Sequence, residues 1–225
     1  MYGQFFILFG LILVGYYCNK KGYLPMETNK NVGNMVMRVT IPAMLITTIA
    51  GIEITDRVLK AFLFSAAGQA AMMVVFGFLM RQYGRKRGLD SRLLPMLDLT
   101  AGSLNTGFIG LPVTMIFFGQ AGIIYMSAGV LALNLYLWSY GVYLISDKKA
   151  TGAAAIGKSF LQGAINPNCI SILLGLLLAV THTARFVPTV VLGFLTKVGD
   201  LSTPLSLIYI GALAGGSGIV QLFKE

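Results

Sequence analysis

The chain has 225 residues, of which 56% are hydrophobic and 11% charged, with a mean hydropathy of +0.77 and a formal net charge of +9. Soluble domains carry about 25% charged residues, so this composition excludes a soluble globular protein and indicates a membrane protein. The basic residues cluster in the connections between apolar stretches, which favours loops beside a membrane over a nucleic-acid surface.

Apolar stretches follow one another along the chain, and most reach the roughly 20 residues that a membrane-spanning helix needs. None alternates polar and apolar residues as the strand of a membrane barrel would. The prediction is therefore an all-α membrane protein with about seven transmembrane helices. The predicted stretches are Gly3–Cys18, Val32–Ala50, Ala61–Met80, Leu93–Phe118, Ala121–Ile145, Asn166–Thr181 and Val187–Ala214.

Basic residues in alternate connections predict the orientation. One side carries ten of them and the other carries three, together with an uncharged turn at Gly119 and Gln120. The positive-inside rule places the larger set in the cytoplasm. This predicts a multi-pass protein of the cell membrane, the inner membrane in a bacterium, with its N-terminus outside. The ten are Lys20, Lys21, Arg81, Arg85, Lys86, Arg87, Arg92, Lys148, Lys149 and Lys158, against Arg57, Lys60 and Arg185.

The fourth stretch contains a segment that an unbroken helix would not be expected to carry. Residues Asn105–Pro112 read Asn-Thr-Gly-Phe-Ile-Gly-Leu-Pro between apolar flanks. Non-helical backbone at membrane depth is tolerated only where it lines a cavity or is buried in protein. Secondary transporters place discontinuous helices of this kind around their substrates. The segment predicts a broken helix, and a proline-kinked structural helix is the alternative interpretation.

Three short matches at offsets of 162 to 165 residues predict an internal repeat. Five predicted helices separate the copies, so the second copy would be inserted upside down, as an inverted-topology repeat. Residues 1–150 would form the first five-helix repeat, and residues 151–225 the start of the second. The matches are Ile7–Leu13 with Ile172–Leu178, Tyr23–Pro25 with Phe186–Pro188, and Pro42–Ile46 with Pro204–Ile208.

These motifs resemble the auxin efflux carrier family, which includes bacterial permeases and the plant PIN proteins. Asn105–Pro112, followed by Phe118 and Gly119, is similar to the crossover in the fourth helix of that family. Asn134 and Trp138 are similar to a polar residue and a tryptophan four positions apart in its fifth helix. The remaining similar segments are Asn166-Pro167 in the sixth helix and Thr203–Ile208 with Gly211 in the seventh.

The resemblance implies the ten-helix fold of the sodium–bile-acid symporters and NhaA, an inverted repeat of five plus five helices. Helices one, two, six and seven would form a scaffold, and the others a moving core. Because the chain ends after the seventh predicted helix, we expect a fragment of a longer product. Three further spans would follow, with a second crossover at roughly position 275.

The resemblance also implies a function, that of a secondary transporter, or permease, for a small organic anion such as a carboxylate. Backbone amides at the start of the second half-helix would hold the anion during alternating access. We expect no cofactor other than a coupling ion, and no binding of nucleic acid. We expect the chain to lie in the lipid bilayer and to form a homodimer. The expected substrate-binding residues are Asn105, Thr106, Gly107, Gly110, Pro112 and Asn134, although Asn134 could instead only join helices together.

Asp98 is a carboxylate within the fourth stretch, two helical turns before Asn105. A carboxylate in mid-span costs about 2.5–3.5 kcal/mol and usually faces a cavity or a partner. Two interpretations stay open at this point. Asp98 is either a coupling site for Na⁺ or H⁺ beside the break, or a carboxylate near the inner face that water reaches.

The other polar residues suggest neither an enzyme nor a metal site. Two cysteines and one histidine cannot make a four-ligand zinc site, and Cys18 and Cys169 are predicted to lie near the reducing inner face. Lys197 and Asp200, three residues apart, are predicted to form a structural ion pair. Two other functions stay open: a non-transporting fragment or membrane interaction subunit, which the missing helices favour, and a seven-helix receptor, which the span count and orientation favour.

Overall fold

The computed structural model describes residues 2–145 and 165–216, and all the regular elements in these residues are helices. The prediction of an all-α protein is therefore confirmed. The helices are α1 Tyr2–Lys20, α2 Met26–Met35, α3 Ile41–Ala50, α4 Asp56–Lys86, α5 Leu94–Gly102, α6 Leu111–Tyr136, α7 Val142–Ile145, α8 Pro167–Val180, α9 Thr189–Asp200 and α10 Ser202–Gly216; π-helical turns occupy Val36–Thr40, Thr106–Gly110 and Leu137–Gly141, and a 3₁₀ turn occupies Thr183–Phe186.

Five helical runs in the described residues are long and apolar enough to cross a membrane. Phe6, Phe64 and Val190 are each at least 80% exposed, as expected of side chains that face lipid. The chain is thus a multi-pass membrane protein, whereas the count of seven spans stays a prediction because α8 has only 14 residues. The five runs are Tyr2–Lys20, Met26–Ala50, Asp56–Lys86, Leu94–Gly141 and Thr189–Gly216.

The 48-residue run Leu94–Gly141 turns sharply at Gly119. Gly119 has φ 62° and ψ −157°, a backbone conformation that glycine adopts far more readily than other residues. A Cβ built on Gly122 would lie 2.7 Å from Thr114 Cγ2. In a straight helix, residues eight positions apart are separated by about 12 Å along the axis. The predicted turn between the fourth and fifth stretches is therefore present.

Helix α4 extends well beyond the stretch Ala61–Met80 that hydropathy predicts. It begins at a cap in which Thr55 Oγ1 accepts a hydrogen bond from the Val58 N–H at 3.3 Å. Acidic and basic residues at its two ends complement the helix dipole. Because the helix continues to Lys86, Arg81 lies inside it and not in the cytoplasmic loop to which the sequence pattern assigns it.

The chain packs into two compact units that interleave along the sequence. Unit 1 consists of Met1–Glu53, Gly107–Ile124 and Ser171–Glu225, and unit 2 consists of Ile54–Thr106 and Tyr125–Ile170. The predicted repeat boundary at residue 150 lies outside the described residues, as do Lys148, Lys149 and Lys158 of the charge count. The division at residue 150 therefore stays a prediction.

Helix α3 occupies the centre of unit 1. Ile41, Leu45 and Ile49 on this helix are each at most 1% exposed. A Cβ built on Gly175 of α8 would lie 2.9 Å from Ile49 Cβ, and one on Gly199 of α9 would lie 2.8 Å from Met44 Cα. Glycines in α8 and α9 therefore let both helices approach α3 closely, as small residues do at helix interfaces in membranes.

Helices α1 and α10 of unit 1 approach each other even more closely, with backbone against backbone. A Cβ on Gly15 would overlap the carbonyl oxygen of Ile208, and a Cβ on Gly211 would overlap that of Ile12. The two contacts lie on opposite helices and reinforce each other. Any larger residue at either glycine must push the helices apart.

We expect Gly211→Ala to lower the free energy of unfolding by about 1–3 kcal/mol, because overpacking displaces the backbone of α1. Gly10→Ala is the matched control, since a Cβ on Gly10 meets no atom within 4 Å. Alanine is the better helix former by up to about 1 kcal/mol, so the control should be neutral or slightly stabilising. Thermal unfolding in mild detergent measures both variants, and equal midpoints would contradict the close α1–α10 contact.

Candidate functional site

The helical run that starts at Leu94 is interrupted at residues 103–105, inside the predicted fourth helix. Ser103 leaves the helical conformation with φ −78° and ψ 89°. The Leu104 N–H donates to the Gly102 carbonyl at 3.0 Å, and the Thr106 N–H donates to the Leu104 carbonyl at 2.8 Å. These bonds reach back two residues where a helix reaches back four, so the backbone makes tight local turns here.

The break is not a proline kink at Pro112. A proline disturbs the helical turn directly before it, and that turn is the π-helical segment Thr106–Gly110. The non-helical residues 103–105 lie further towards the N-terminus. Pro112 therefore accounts for the π-helical turn, and the Ser-Leu-Asn segment breaks the helix separately.

The predicted crossover residues differ in their surroundings. Thr106 is 2% exposed, Pro112 is buried, Gly107 and Gly110 are half-buried, and Asn105 is exposed. Within the described part of the chain, Thr106 Oγ1 is buried and has no hydrogen-bond partner. A buried hydroxyl without a bond costs about 1–3 kcal/mol. This hydroxyl is therefore a group that a bound ligand would stabilise.

The break is also the place where the chain passes from one unit to the other. Asn105 and Thr106 end a segment of unit 2, and Gly107 begins a segment of unit 1. Within unit 1 the start of the second half-helix is fixed by packing. A Cβ on Gly107 would lie 3.2 Å from Met37 Sδ, and the Phe108 ring stacks on Tyr209 with centroids 4.5 Å apart.

Asn134 lies in α6, in unit 2, and its amide is partly engaged. Its Nδ2 donates to the Val130 carbonyl at 2.8 Å, and its Oδ1 accepts from Asn166 Nδ2 at 3.1 Å. Asn166 in turn accepts from the Asn168 N–H at 2.9 Å, at the start of α8. Asn134 therefore joins α6 to the start of α8, and these bonds among the described residues use one of its two N–H donors and one of its two lone pairs. The side chain of Trp138 lies outside the described part of the structure.

Asp98 is fully buried in unit 2 and has partners on two other helices. Its Oδ2 accepts from Arg81 Nη1 at 3.5 Å and from Tyr140 Oη at 2.9 Å. Its Oδ1 is buried and makes no hydrogen bond among the described residues. Gly77 leaves room for this oxygen, because a Cβ there would overlap it and would lie 3.0 Å from Tyr136 Oη. Asp98 is 0% exposed, so its contacts in the described residues are with these side chains.

The chain matches a family model described as "Membrane transport protein" over residues 1–217. The chain belongs to this membrane transport protein family, the family of the auxin efflux carriers. It is also similar to an uncharacterized transporter of Methanothermobacter thermautotrophicus, with 26% identity over 204 residues. The alignment covers 89% of this chain, which spans 64% of the length of that relative.

Membership of this transporter family agrees with the prediction that the chain is not an enzyme. Within residues 2–145 and 165–216, no group of three or more His, Cys, Asp or Glu side chains is arranged to hold a metal ion. Cys18 and Cys169 are both free thiols, and Cys169 is 3% exposed.

Sequence reasoning missed the partners of two polar residues in this chain. Arg81 pairs with Asp98, although its position just after an apolar stretch suggested a loop. A carboxylate inside a span usually has a partner, and this rule could have indicated that a basic residue lies near Asp98. Asn166 was noted for its family resemblance, but nothing in the sequence linked it to Asn134.

One predicted ion pair is wrong. Lys197 and Asp200 form no salt bridge in the part of the chain that the structure describes. Within the described residues, the one salt bridge is that between Arg81 and Asp98. Asp200 is the last residue of α9, so the regular helix on which the i,i+3 prediction depends ends at this residue. Its side chain lines a pocket of unit 1 instead.

Proposed function

We propose that this member of the membrane transport protein family is a secondary transporter that carries a small organic anion, such as a carboxylate. The observation that carries the proposal is the buried Thr106 hydroxyl at the start of the half-helix that follows the break, which has no hydrogen-bond partner among the described residues. The first N–H groups of a helix lack partners within it, and the N-terminus carries about half a positive charge. A carboxylate at this point would accept hydrogen bonds from the hydroxyl and from backbone amides.

The charges near the break favour an anion. Asp98, two turns earlier in the same broken helix, would repel a carboxylate if its charge were uncompensated. Arg81 lies 3.5 Å from Asp98 Oδ2 and neutralises it. The helix dipole is then the main electrostatic influence along this helix at Thr106, and it attracts negative charge.

Unit 1 supports the inverted repeat that the family resemblance implies. Pro42 and Pro204, 162 residues apart, each lie in the first turn of a helix that resumes after an interruption. A repeat exchanges α1 with α8 and the α2–α3 run with the α9–α10 run. Under this exchange, the α1–α10 contact in one copy corresponds to a contact between α8 and α3 in the other. Both contacts exist. We propose that α1 to α3 and α8 to α10 serve as the scaffold for alternating access.

Of the two coupling ions that the sequence leaves open, the geometry at Asp98 favours the proton. A sodium ion at Asp98 would lie beside the Arg81 guanidinium and would be repelled by it. A proton can instead bind Oδ1, which is buried and has no hydrogen-bond partner among the described residues. We propose Asp98 as the proton-coupling residue of this transporter.

Uptake by right-side-out membrane vesicles tests the proposed function. The vesicles come from host cells with the gene intact or deleted, and the probes are radiolabelled acetate, lactate, succinate and malate. We expect at least one of these anions to accumulate only when the gene is present, driven by a pH gradient and not by a sodium gradient. Equal uptake of the uncharged amide of that acid, or no gene-dependent uptake of any anion, would contradict the proposal.

A further inference from the structure

Unit 1 contains a pocket of about 270 Å³ among α3, the first half of α6, α9 and the start of α10. All of its lining residues belong to this one unit. Met115, on the lining, is nine residues beyond Thr106, or about 13 Å along the helix. The pocket is therefore separate from the Thr106 hydroxyl, although its lining on this helix begins three residues after Pro112. Its polar lining residues are Thr47, Thr48, Gln120, Thr196, Asp200 and Thr203.

Two of the threonines offer this pocket acceptors and no donors. Thr47 Oγ1 donates its proton to the Ala43 carbonyl at 3.0 Å, and Thr196 Oγ1 donates to the Leu192 carbonyl at 2.8 Å. A hydroxyl has one proton and two lone pairs. Because both protons are used within the helices, only lone pairs of these hydroxyls remain for a ligand.

Asp200 is the one charged side chain among the residues that line the pocket. An ionised carboxylate accepts hydrogen bonds and donates none. Among the described residues it has no salt-bridge partner, although Lys197 is three residues away. Asp200 is exposed in the structure, and a charge inside a membrane span is expensive unless it meets a partner or a water-filled cavity. Asp200 also precedes the N-terminus of α10, where the helix dipole alone would stabilise it.

We infer that this pocket binds a small organic cation through a primary ammonium group. Three N–H donors of an ammonium group match the acceptors that Asp200, Thr47 and Thr196 present. The lining also includes Met44, Met115 and Ile116, which suit a short alkyl chain. A volume of about 270 Å³ has room for several non-hydrogen atoms, which suits a small amine better than a bare ion.

Thermal unfolding of the purified protein in mild detergent, with propylammonium chloride as the probe, tests this inference. We expect the unfolding midpoint to rise saturably, and to rise more than with sodium chloride, tetramethylammonium chloride or sodium propionate at equal concentration. Asp200→Asn should raise the dissociation constant of propylammonium about tenfold or more, because it removes a charge-assisted hydrogen bond. Lys197→Gln and Thr106→Val should leave that constant unchanged.

Thr196→Val provides a second variant if Asp200→Asn does not fold, and it should weaken binding about fivefold by removing one acceptor. Four results would overturn the inference. The first is that propylammonium does not raise the unfolding midpoint saturably. The second and third are that sodium ions, or tetramethylammonium, which has no N–H donor, raise the midpoint equally. The fourth is an unchanged dissociation constant of propylammonium in Asp200→Asn. If Asp200→Asn also lowers the unfolding midpoint without ligand, the role of Asp200 is only to stabilise the N-terminus of α10.

Discussion

Asn105→Ala and Thr106→Val should each reduce carboxylate uptake about tenfold or more, while the amount of protein in the membrane stays close to the wild-type level. Each substitution removes a polar group where the anion is proposed to bind. A hydrogen bond to a charged group contributes about 1.5–3 kcal/mol, which corresponds to roughly a 10- to 150-fold change. Pro112→Leu should have a similar effect, because restoring an N–H removes the cause of the π-helical turn Thr106–Gly110. Uptake by vesicles from hosts with these chromosomal substitutions measures the effects.

Matched controls of the same residue types are available. Thr100 is exposed on α5, in the first half of the same broken helix, and Asn31 is exposed on α2. Thr100→Val and Asn31→Ala should leave both uptake and abundance unchanged. Wild-type uptake by Asn105→Ala and Thr106→Val together would mean that the break is structural and that the substrate binds elsewhere.

Removing Arg81 should destabilise the protein more than removing its partner Asp98. Arg81→Met leaves a fully buried carboxylate without its cation, and breaking a buried pair in this way costs about 3–5 kcal/mol. Asp98→Asn leaves an arginine whose side chain is 28% exposed and can reach water, so we expect a loss of about 1–3 kcal/mol. Unfolding in mild detergent measures both losses.

The double variant separates the ion pair from other effects of the two substitutions. We expect the loss in Arg81→Met with Asp98→Asn to be smaller than the sum of the single losses, because the uncompensated charge is gone. Arg85→Met, an exposed position on the same helix, is the control and should change stability little. Equal losses for Arg81→Met and Arg85→Met would show that the contact contributes nothing.

The broken helix could be predicted because its cause is local. The predicted segment 105–112 meets the observed break, residues 103–105, only at Asn105, so the sequence predicts that the helix breaks but places the break a few residues too late. The spans could be predicted for a similar reason, since lipid demands long apolar helices wherever the chain crosses. Even so, hydropathy underestimated the length of α4, because a charged residue directly after an apolar stretch, such as Arg81, is compatible with either a helix or a loop.

The interactions that join distant helices could not be predicted. Asp98 bonds to Tyr140 across 42 residues, and Asn134 bonds to Asn166 across 32. These pairs depend on how the helices pack, and a single sequence does not contain that information. The i,i+3 spacing of Lys197 and Asp200 predicted an ion pair that does not form. Spacing along one helix carries no information about a pocket that other helices help to form.

Protection of a thiol at position 106 by a carboxylate tests the central claim most directly. Thr106→Cys is introduced with Cys18→Ser and Cys169→Ser, so that the new thiol is the one cysteine of the described chain. Membranes are treated with a permeant maleimide in the presence of the transported acid or of its uncharged amide. We expect the thiol to react, because alternating access exposes the crossover to water, and we expect the acid to slow the reaction at least about tenfold while the amide does not. A thiol that never reacts, or one that the acid and the amide protect equally, would contradict a carboxylate site at this crossover.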